Sequence, residues 1–61
     1  MKIGIIGSTG FIGNNLYFYL SKFKNFKVLR YSSYKKNNKN WISKVSQEIK
    51  ITKPNIILNC A

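Results

Sequence analysis

The chain has 61 residues with a formal net charge of +10, and 44% of its residues are apolar. This length and composition indicate one small folded domain over 1–61 and exclude an intrinsically disordered chain. One cysteine, one acidic residue and no histidine exclude an internal disulfide, a Cys/His zinc site, paired-carboxylate catalysis and a histidine triad.

The positive charge comes from eleven Lys and Arg against one acid, in a chain that is also rich in Ile and Asn. This bias is typical of a genome rich in A and T, and it spreads lysine over solvated surface. Only Lys35, Lys36 and Lys39 lie close together in the sequence. We therefore favour a solvated surface over a functional basic patch and do not favour a nucleic-acid partner.

The first residues look only superficially like an export signal. Gly7 breaks the apolar run after Lys2 within a few residues, whereas a signal peptide needs about 7 to 15. No stretch approaches the roughly 18 consecutive apolar residues of a membrane span. We expect a cytoplasmic protein in a reducing compartment, with no membrane partner and no metal site.

The first half of the chain predicts a strand, a turn and a helix. The run Lys2–Ile6 predicts a strand buried on both faces of a parallel sheet, and Gly7–Gly10 predicts the turn after it. From residue 11 the apolar residues recur at helical spacing, which predicts a helix of about four turns. Its expected buried stripe is Ile12, Leu16, Tyr19 or Leu20, and Phe23. The helix is expected to end over Phe23–Asn25, and two lysines in its last turn complement the helix dipole. These lysines are Lys22 and Lys24.

The second half predicts a strand, a loop, a helix and a strand. Phe26–Tyr31 is the second strand candidate, and the polar, lysine-rich stretch Ser32–Asn40 predicts a loop. Ser43 is a candidate cap of a second helix, which Lys53-Pro54 ends. The expected buried face of this helix consists of Ile42, Val45 and Ile49. The last segment, Asn55–Ala61, then predicts a third buried strand.

The resulting order is β-α-β-loop-α-β, with parallel strands and right-handed crossovers. The third strand should return to the far side of the first, which gives the spatial order 2-1-3 with one helix on each face. The fold class is therefore α/β, and the chain is expected to form the N-terminal part of a Rossmann-type doubly wound parallel sheet.

Three glycines follow the first strand in the spacing G-x-x-G-x-x-G. The residues of this turn are Gly7, Ser8, Thr9, Gly10, Phe11, Ile12 and Gly13. Gly7 would make the tight turn, Gly10 would let a pyrophosphate approach the backbone, and Gly13 would let the helix pack closely. The first N–H groups of the helix and the two hydroxyls of the turn can donate to that anion. Because the spacing lacks the P-loop lysine, we expect no hydrolysis of nucleoside triphosphates.

This opening resembles that of the extended short-chain dehydrogenase/reductase superfamily, which includes NAD-dependent epimerases and dehydratases. The end of the chain agrees with this resemblance. Lys53–Ala61 resembles a strand of these enzymes that is followed by a turn of small residues beside the cofactor. The short link between the second strand and the second helix, and the Lys-Pro-Asn sequence, are most similar to dTDP-4-dehydrorhamnose reductases. The resemblance spans nearly the whole chain but covers only the first part of such an enzyme.

The resemblance implies an oxidoreductase or epimerase that transfers hydride between NADP(H) or NAD(H) and a nucleotide-linked sugar. The implied cofactor-binding residues are Gly7–Gly13, Arg30, Asn59, Cys60 and Ala61. Enzymes that prefer NAD carry an acid where this chain has Arg30, so NADP(H) is favoured and NAD(H) stays an alternative. The family's catalytic Tyr/Lys pair and Ser or Thr lie on later segments. We therefore expect no catalytic residue within these 61 residues and a fragment or truncated product of a longer enzyme.

The segment Tyr31-Ser32-Ser33-Tyr34-Lys35 matches the family's Tyr-x-x-x-Lys pair by spacing alone. It follows the second strand, at the adenosine end of the expected crevice, so we reject it as the catalytic pair. Two alternatives to the enzyme stay open. One is a noncatalytic dinucleotide-binding or regulatory module, and the other is a small basic nucleic-acid-binding protein, in which the glycine turn would have no role.

Overall fold

A computed structural model describes residues 1–31 and 40–61 of the chain as an α/β unit. Its elements are β1 (Lys2–Ile6), α1 (Phe11–Leu20), β2 (Lys27–Arg30), α2 (Trp41–Thr52) and β3 (Ile56–Asn59). The three strands form one parallel sheet in the order β2-β1-β3, as predicted. The predicted loop Ser32–Asn40 lies outside the described residues except for its last residue.

The two helices contact opposite faces of this sheet. Tyr31, directly after β2, packs its ring over Gly4 of β1 and shares a hydrogen bond of 2.9 Å with Thr52 of α2. Because side chains alternate along a strand, the preceding residue, Arg30, projects to the other face. There its guanidinium carbon lies 4.4 Å from the ring centre of Tyr17 of α1. One helix on each face is therefore confirmed.

The buried apolar residues within the described chain are few, and most lie at the centre of the sheet. They are Ile3, Ile5, Tyr31 and Val45. Gly4 also belongs to this centre, because an added Cβ would lie 2.6 Å from the hydroxyl oxygen of Tyr31. Glycine has a low propensity for strands, but at residue 4 the absence of a side chain leaves the space that the Tyr31 ring occupies.

The first helix is shorter than predicted and ends at Leu20. The Ser21 hydroxyl donates to the Tyr17 carbonyl at 2.6 Å, and Lys22 N–H donates only three residues back, to Tyr19, at 3.3 Å. Such bonds tighten and end a helix, so the predicted end at Phe23–Asn25 was wrong. Two lysines, Lys22 and Lys24, consequently lie beyond the helix rather than in its last turn.

The predicted buried stripe of α1 was also partly wrong. Ile12 and Tyr19 are exposed, and Phe23 lies outside the helix, whereas Leu16 and Leu20 are half-buried. The residue that lies deepest is Gly13. Because a glycine carries no hydropathy signal, the face centred on it differs from the face that the apolar period indicated.

The second helix begins at Trp41, with Asn40 as its N-cap, so Ser43 lies inside the helix and does not cap it. Val45 is buried and Ile49 is half-buried, as predicted, but Ile42 is 69% exposed. The helix ends at the predicted place. Lys53 is its C-cap with φ of 48°, in the left-handed region, and Pro54 follows it.

The third strand forms one edge of the described sheet. Its residues Ile56 and Ile57 are both exposed by more than a third of their surface, so the prediction of a buried strand was wrong. An edge strand has a neighbour on one side only, and this leaves apolar side chains accessible. Among the described residues, no helix combines the length and the apolar character that crossing a bilayer requires.

Replacing Tyr31 by Phe should destabilise this unit by about 1 kcal/mol. The Thr52 hydroxyl donates to the Glu48 carbonyl at 2.7 Å, so the Tyr31 hydroxyl is the donor in the bond to Thr52, and the Phe ring cannot replace it. The expected fall in melting temperature, followed by circular dichroism, is about 4–8 °C. Tyr19→Phe removes an exposed hydroxyl and is the matched control. Equal melting temperatures for both variants would contradict the prediction.

Candidate functional site

The candidate site lies at the edge of the sheet where the carboxyl ends of all three strands meet. β1 ends at Ile6, β2 at Arg30 and β3 at Asn59. The Cys60 N–H donates to the Ile6 carbonyl at 2.8 Å, which brings the end of the chain beside the turn at Gly7. All eleven residues predicted to bind a cofactor therefore lie on or next to this edge.

Gly7 is required by the fold itself. Its φ is +79°, a backbone conformation that L side chains rarely adopt. An added Cβ would also lie 2.7 Å from the backbone nitrogen of Ala61 and 2.8 Å from its Cα. The tight turn predicted at Gly7 is confirmed, and it also lets the segment after β3 pass close to it.

Gly13 is required for a different reason. It is buried on the inner side of α1, and an added Cβ would overlap the carbonyl oxygen of Gly7 and lie 2.9 Å from Cα of Ser8. The helix therefore packs directly on the backbone of the turn. This close approach is the one that the glycine spacing predicted.

Gly10 differs from the other two, because nothing in the described chain demands a glycine there. Its φ is −75°, and the nearest heavy atom to an added Cβ is the Gly7 oxygen at 3.5 Å, an ordinary contact distance. Gly10 is exposed and serves as the N-cap of α1 without a side-chain cap. The fold therefore tolerates a side chain at residue 10, next to the N–H groups of the first helical turn.

Arg30 is held over the turn by side chains of α1 and by Ser8. Its Nε donates to the Ser8 hydroxyl at 3.3 Å, and its Nη2 donates to the Ser8 carbonyl at 3.4 Å and to Asn14 Oδ1 at 3.3 Å. The Tyr17 ring supports the guanidinium from one side. No described residue accepts a hydrogen bond from Nη1, so two of the five N–H donors stay available.

Ser8 and Thr9 are both predicted to donate a hydroxyl hydrogen bond to an anion, but their surroundings differ. Ser8 is buried, with 1% of its surface exposed, and its hydroxyl accepts from Arg30. Thr9 is exposed at the turn and can still present its hydroxyl to a ligand. Asn14 and Tyr17 were missed as site residues. Asn14 and Tyr17 are three residues apart and therefore lie on one face of α1, about one turn after Gly10. This spacing is the sequence signal that could have identified them.

A cavity of about 370 Å³ adjoins the turn on the side of β3. It is lined by Gly7, Thr9, Gly10, Trp41, Cys60 and Ala61. The Asn59 side chain orders the end of the chain here, because its Oδ1 accepts from the Ala61 N–H at 3.2 Å. Cys60 is half-buried and its thiol is free. Trp41 reaches the cavity from the start of α2, a position that no sequence motif indicates.

The side chains of Phe11 and Ile12 point away from the packed part of the unit, with 86% and 65% of their surfaces exposed. Their backbone N–H groups nevertheless belong to the first turn of α1, where the helix has its positive end. The site thus combines an exposed glycine N-cap, backbone N–H donors for which no described residue supplies an acceptor, and a fixed guanidinium. This combination can bind a phosphorylated anion.

Comparison with known proteins gives no information about this site. No family model, no curated protein and no solved structure matches the chain. The glycine turn, the held Arg30 and the adjoining cavity are therefore the observations on which a functional proposal can rest.

Proposed function

We propose that the chain is the dinucleotide-binding part of a Rossmann-type oxidoreductase or epimerase of the extended short-chain dehydrogenase/reductase kind. The proposed cofactor is NADP(H), ahead of NAD(H), and the proposed substrate of the complete enzyme is a nucleotide-linked sugar. The bound dinucleotide would supply the hydride donor or acceptor. The residues of this chain would bind and orient it.

The observation that carries the proposal is the contrast among the three glycines. Gly7 and Gly13 are explained by the chain's own backbone contacts, whereas a Cβ at residue 10 would make only an ordinary contact with the Gly7 oxygen. A ligand that approaches the backbone explains why a side chain is missing there. The spacing before a helix N-terminus favours a pyrophosphate, which the first N–H groups of α1 would bind.

Arg30 supports NADP(H) over NAD(H). Its Nε and Nη2 are used by Ser8 and Asn14, and its Nη1 is directed to no acceptor within the described residues. A guanidinium fixed in this way can donate to a phosphate without losing much conformational freedom. In a Rossmann-type unit, the end of the second strand is where the 2′-phosphate of NADP(H) lies.

The surroundings of Tyr31 agree with its rejection as the catalytic tyrosine. Its ring is 4% exposed, and its hydroxyl donates to Thr52. A side chain so enclosed cannot exchange a proton with a substrate. Its partner in the spacing, Lys35, lies outside the described residues. The role proposed for residues 1–61 is therefore binding, and the catalytic groups are assigned to other segments of the enzyme.

The proposal predicts that the protein binds NADPH more tightly than NADH and much more tightly than ATP. Isothermal titration of each ligand measures this order. Gly10→Ala should weaken NADPH binding about tenfold, because its Cβ occupies the space before the helix N-terminus. The melting temperature of the Gly10→Ala variant should equal that of the parent protein. Binding of ATP and NADPH with equal affinity, or an unaltered NADPH affinity in Gly10→Ala, would contradict the proposal.

A further inference from the structure

The fold gathers at one end of the molecule lysines that are scattered in the sequence. The residues described by the structure include eight Lys and Arg, and six of them surround the amino end of the sheet and the carboxyl ends of the two helices. These six are Lys2, Lys22, Lys24, Lys27, Lys50 and Lys53. Composition explains how many lysines the chain has, but it does not explain why they share one end.

Backbone contacts hold this end together. Lys2 and Lys27 are direct cross-strand neighbours, and the N–H of Lys27 donates to the Met1 carbonyl at 2.7 Å. The amino group of Met1 donates to the Asn25 carbonyl at 2.9 Å, which adds a further positive charge. Like charges directly opposite each other in a sheet are destabilising.

One of these lysines also has a structural role. The Nζ of Lys2 donates to the Thr52 carbonyl at 3.1 Å, at the end of α2, where a cation complements the helix dipole. By contrast, Lys24 and Lys27 are exposed, and no described residue bonds their ammonium groups. Their charges are available to an anionic partner.

Aromatic rings lie among these lysines. Tyr19, Phe23 and Phe26 contact one another in a chain, with ring centres 5.5 and 5.6 Å apart. Tyr19 is 57% exposed and Phe23 is 44% exposed, although both are large enough to be buried in a core. In the sequence two of these rings, Phe23 and Phe26, alternate with lysines over 22–27. We call the three rings, the lysines that flank them in the sequence, Lys22, Lys24 and Lys27, and the Met1 amino group bonded to Asn25 the lysine–aromatic surface.

We propose that the lysine–aromatic surface binds single-stranded nucleic acid. Lysines neutralise the phosphates of the backbone, and unpaired bases stack on exposed rings whatever their sequence. A membrane surface fits less well, because the exposed rings here are flanked by Ser21 and Asn25 rather than by an aliphatic helix face. The surface lies at the opposite end of the sheet from the glycine turn, so this inference does not depend on the proposed function.

The test is fluorescence anisotropy with a labelled 15-nucleotide oligo(dT) at 50 and 200 mM KCl. If about four phosphates are neutralised, the affinity should fall about 50-fold between these salt concentrations. Lys24→Gln should weaken binding about threefold at 50 mM KCl and reduce the salt dependence by about one phosphate contact. Lys44→Gln, which removes the same charge from the first turns of α2, is the matched control and should bind as the parent protein does.

The rings are tested separately with Phe23→Leu, which keeps an apolar side chain but removes the stacking face. Its binding should be about tenfold weaker, with an unchanged salt dependence. Four results would overturn the proposal: no binding at 50 mM KCl, equal losses in Lys24→Gln and Lys44→Gln, unchanged binding by Phe23→Leu, and displacement of the oligonucleotide by NADPH. Tighter binding to phosphatidylserine vesicles than to the oligonucleotide would also overturn it, in favour of a membrane surface.

Discussion

Gly13→Ala should unfold up to about half of the protein at 25 °C, whereas Gly10→Ala should leave it folded. At residue 13 the added methyl group would overlap the Gly7 carbonyl oxygen and crowd the Cα of Ser8. All of these are backbone atoms that no side-chain rotation can move. Overpacking of this kind costs about 3 kcal/mol. A chain this short has about 3–5 kcal/mol of stability in total, so the loss is comparable with the whole.

Circular dichroism melting of the two variants measures the difference. Gly13→Ala should melt about 12–24 °C lower than the parent protein. The Gly10→Ala change adds the same methyl group three residues earlier, where the nearest atom is 3.5 Å away. It therefore controls for the general effect of replacing glycine. Similar melting temperatures for the two variants would show that α1 does not pack on the turn as described.

The strand order and the glycine turn could be predicted from the sequence because their signals are local. A short apolar run, a glycine cluster and a change to helical spacing lie next to each other between Lys2 and Leu20. The chain has few ways to join three such strands, and right-handed parallel connections favour one of them. Gly7 and Gly13 could be predicted as sites of close backbone contact because only glycine fits at these two positions.

The burial of particular side chains could not be predicted in the same way. Ile42 matches the helical period of α2 and is nevertheless exposed, whereas Tyr31, expected at a strand end, is buried. Which apolar residues are covered depends on what packs against them, and that is a property of the assembled sheet and helices. Periodicity identifies a helix face but not the area that its neighbours cover.

The contacts of Arg30 could not be fully predicted either, because they also depend on how the helices pack on the sheet. The sequence singled out Arg30 by its place after β2, but Asn14 and Tyr17 enter its surroundings only because α1 lies across β2. The gathering of lysines at the amino end is a stronger case. Lys2, Lys27 and Lys53 are far apart in the sequence, and the parallel register together with the end of α2 brings them to one end of the molecule.

Arg30→Gln should lower the affinity for NADPH about 30-fold and change the affinity for NADH less than about threefold. Glutamine keeps a polar side chain but removes the positive charge and the Nη1 donors that no described residue uses. A charge-assisted hydrogen bond contributes about 1.5–3 kcal/mol, and each 1.4 kcal/mol corresponds to a tenfold change in affinity. Isothermal titration of both cofactors against the same preparation measures the two effects.

The ratio of the two affinities separates recognition from folding. Arg30 also bonds Ser8 and Asn14, so its loss will destabilise the turn and reduce the folded fraction. A smaller folded fraction weakens NADPH and NADH binding by the same factor, and the ratio does not change. Only a contact with the 2′-phosphate changes the ratio, because this group is the difference between the cofactors. Arg30→Lys, which keeps the charge without the planar fork, should give an intermediate ratio. An equal loss for both cofactors would assign Arg30 to the support of the turn alone.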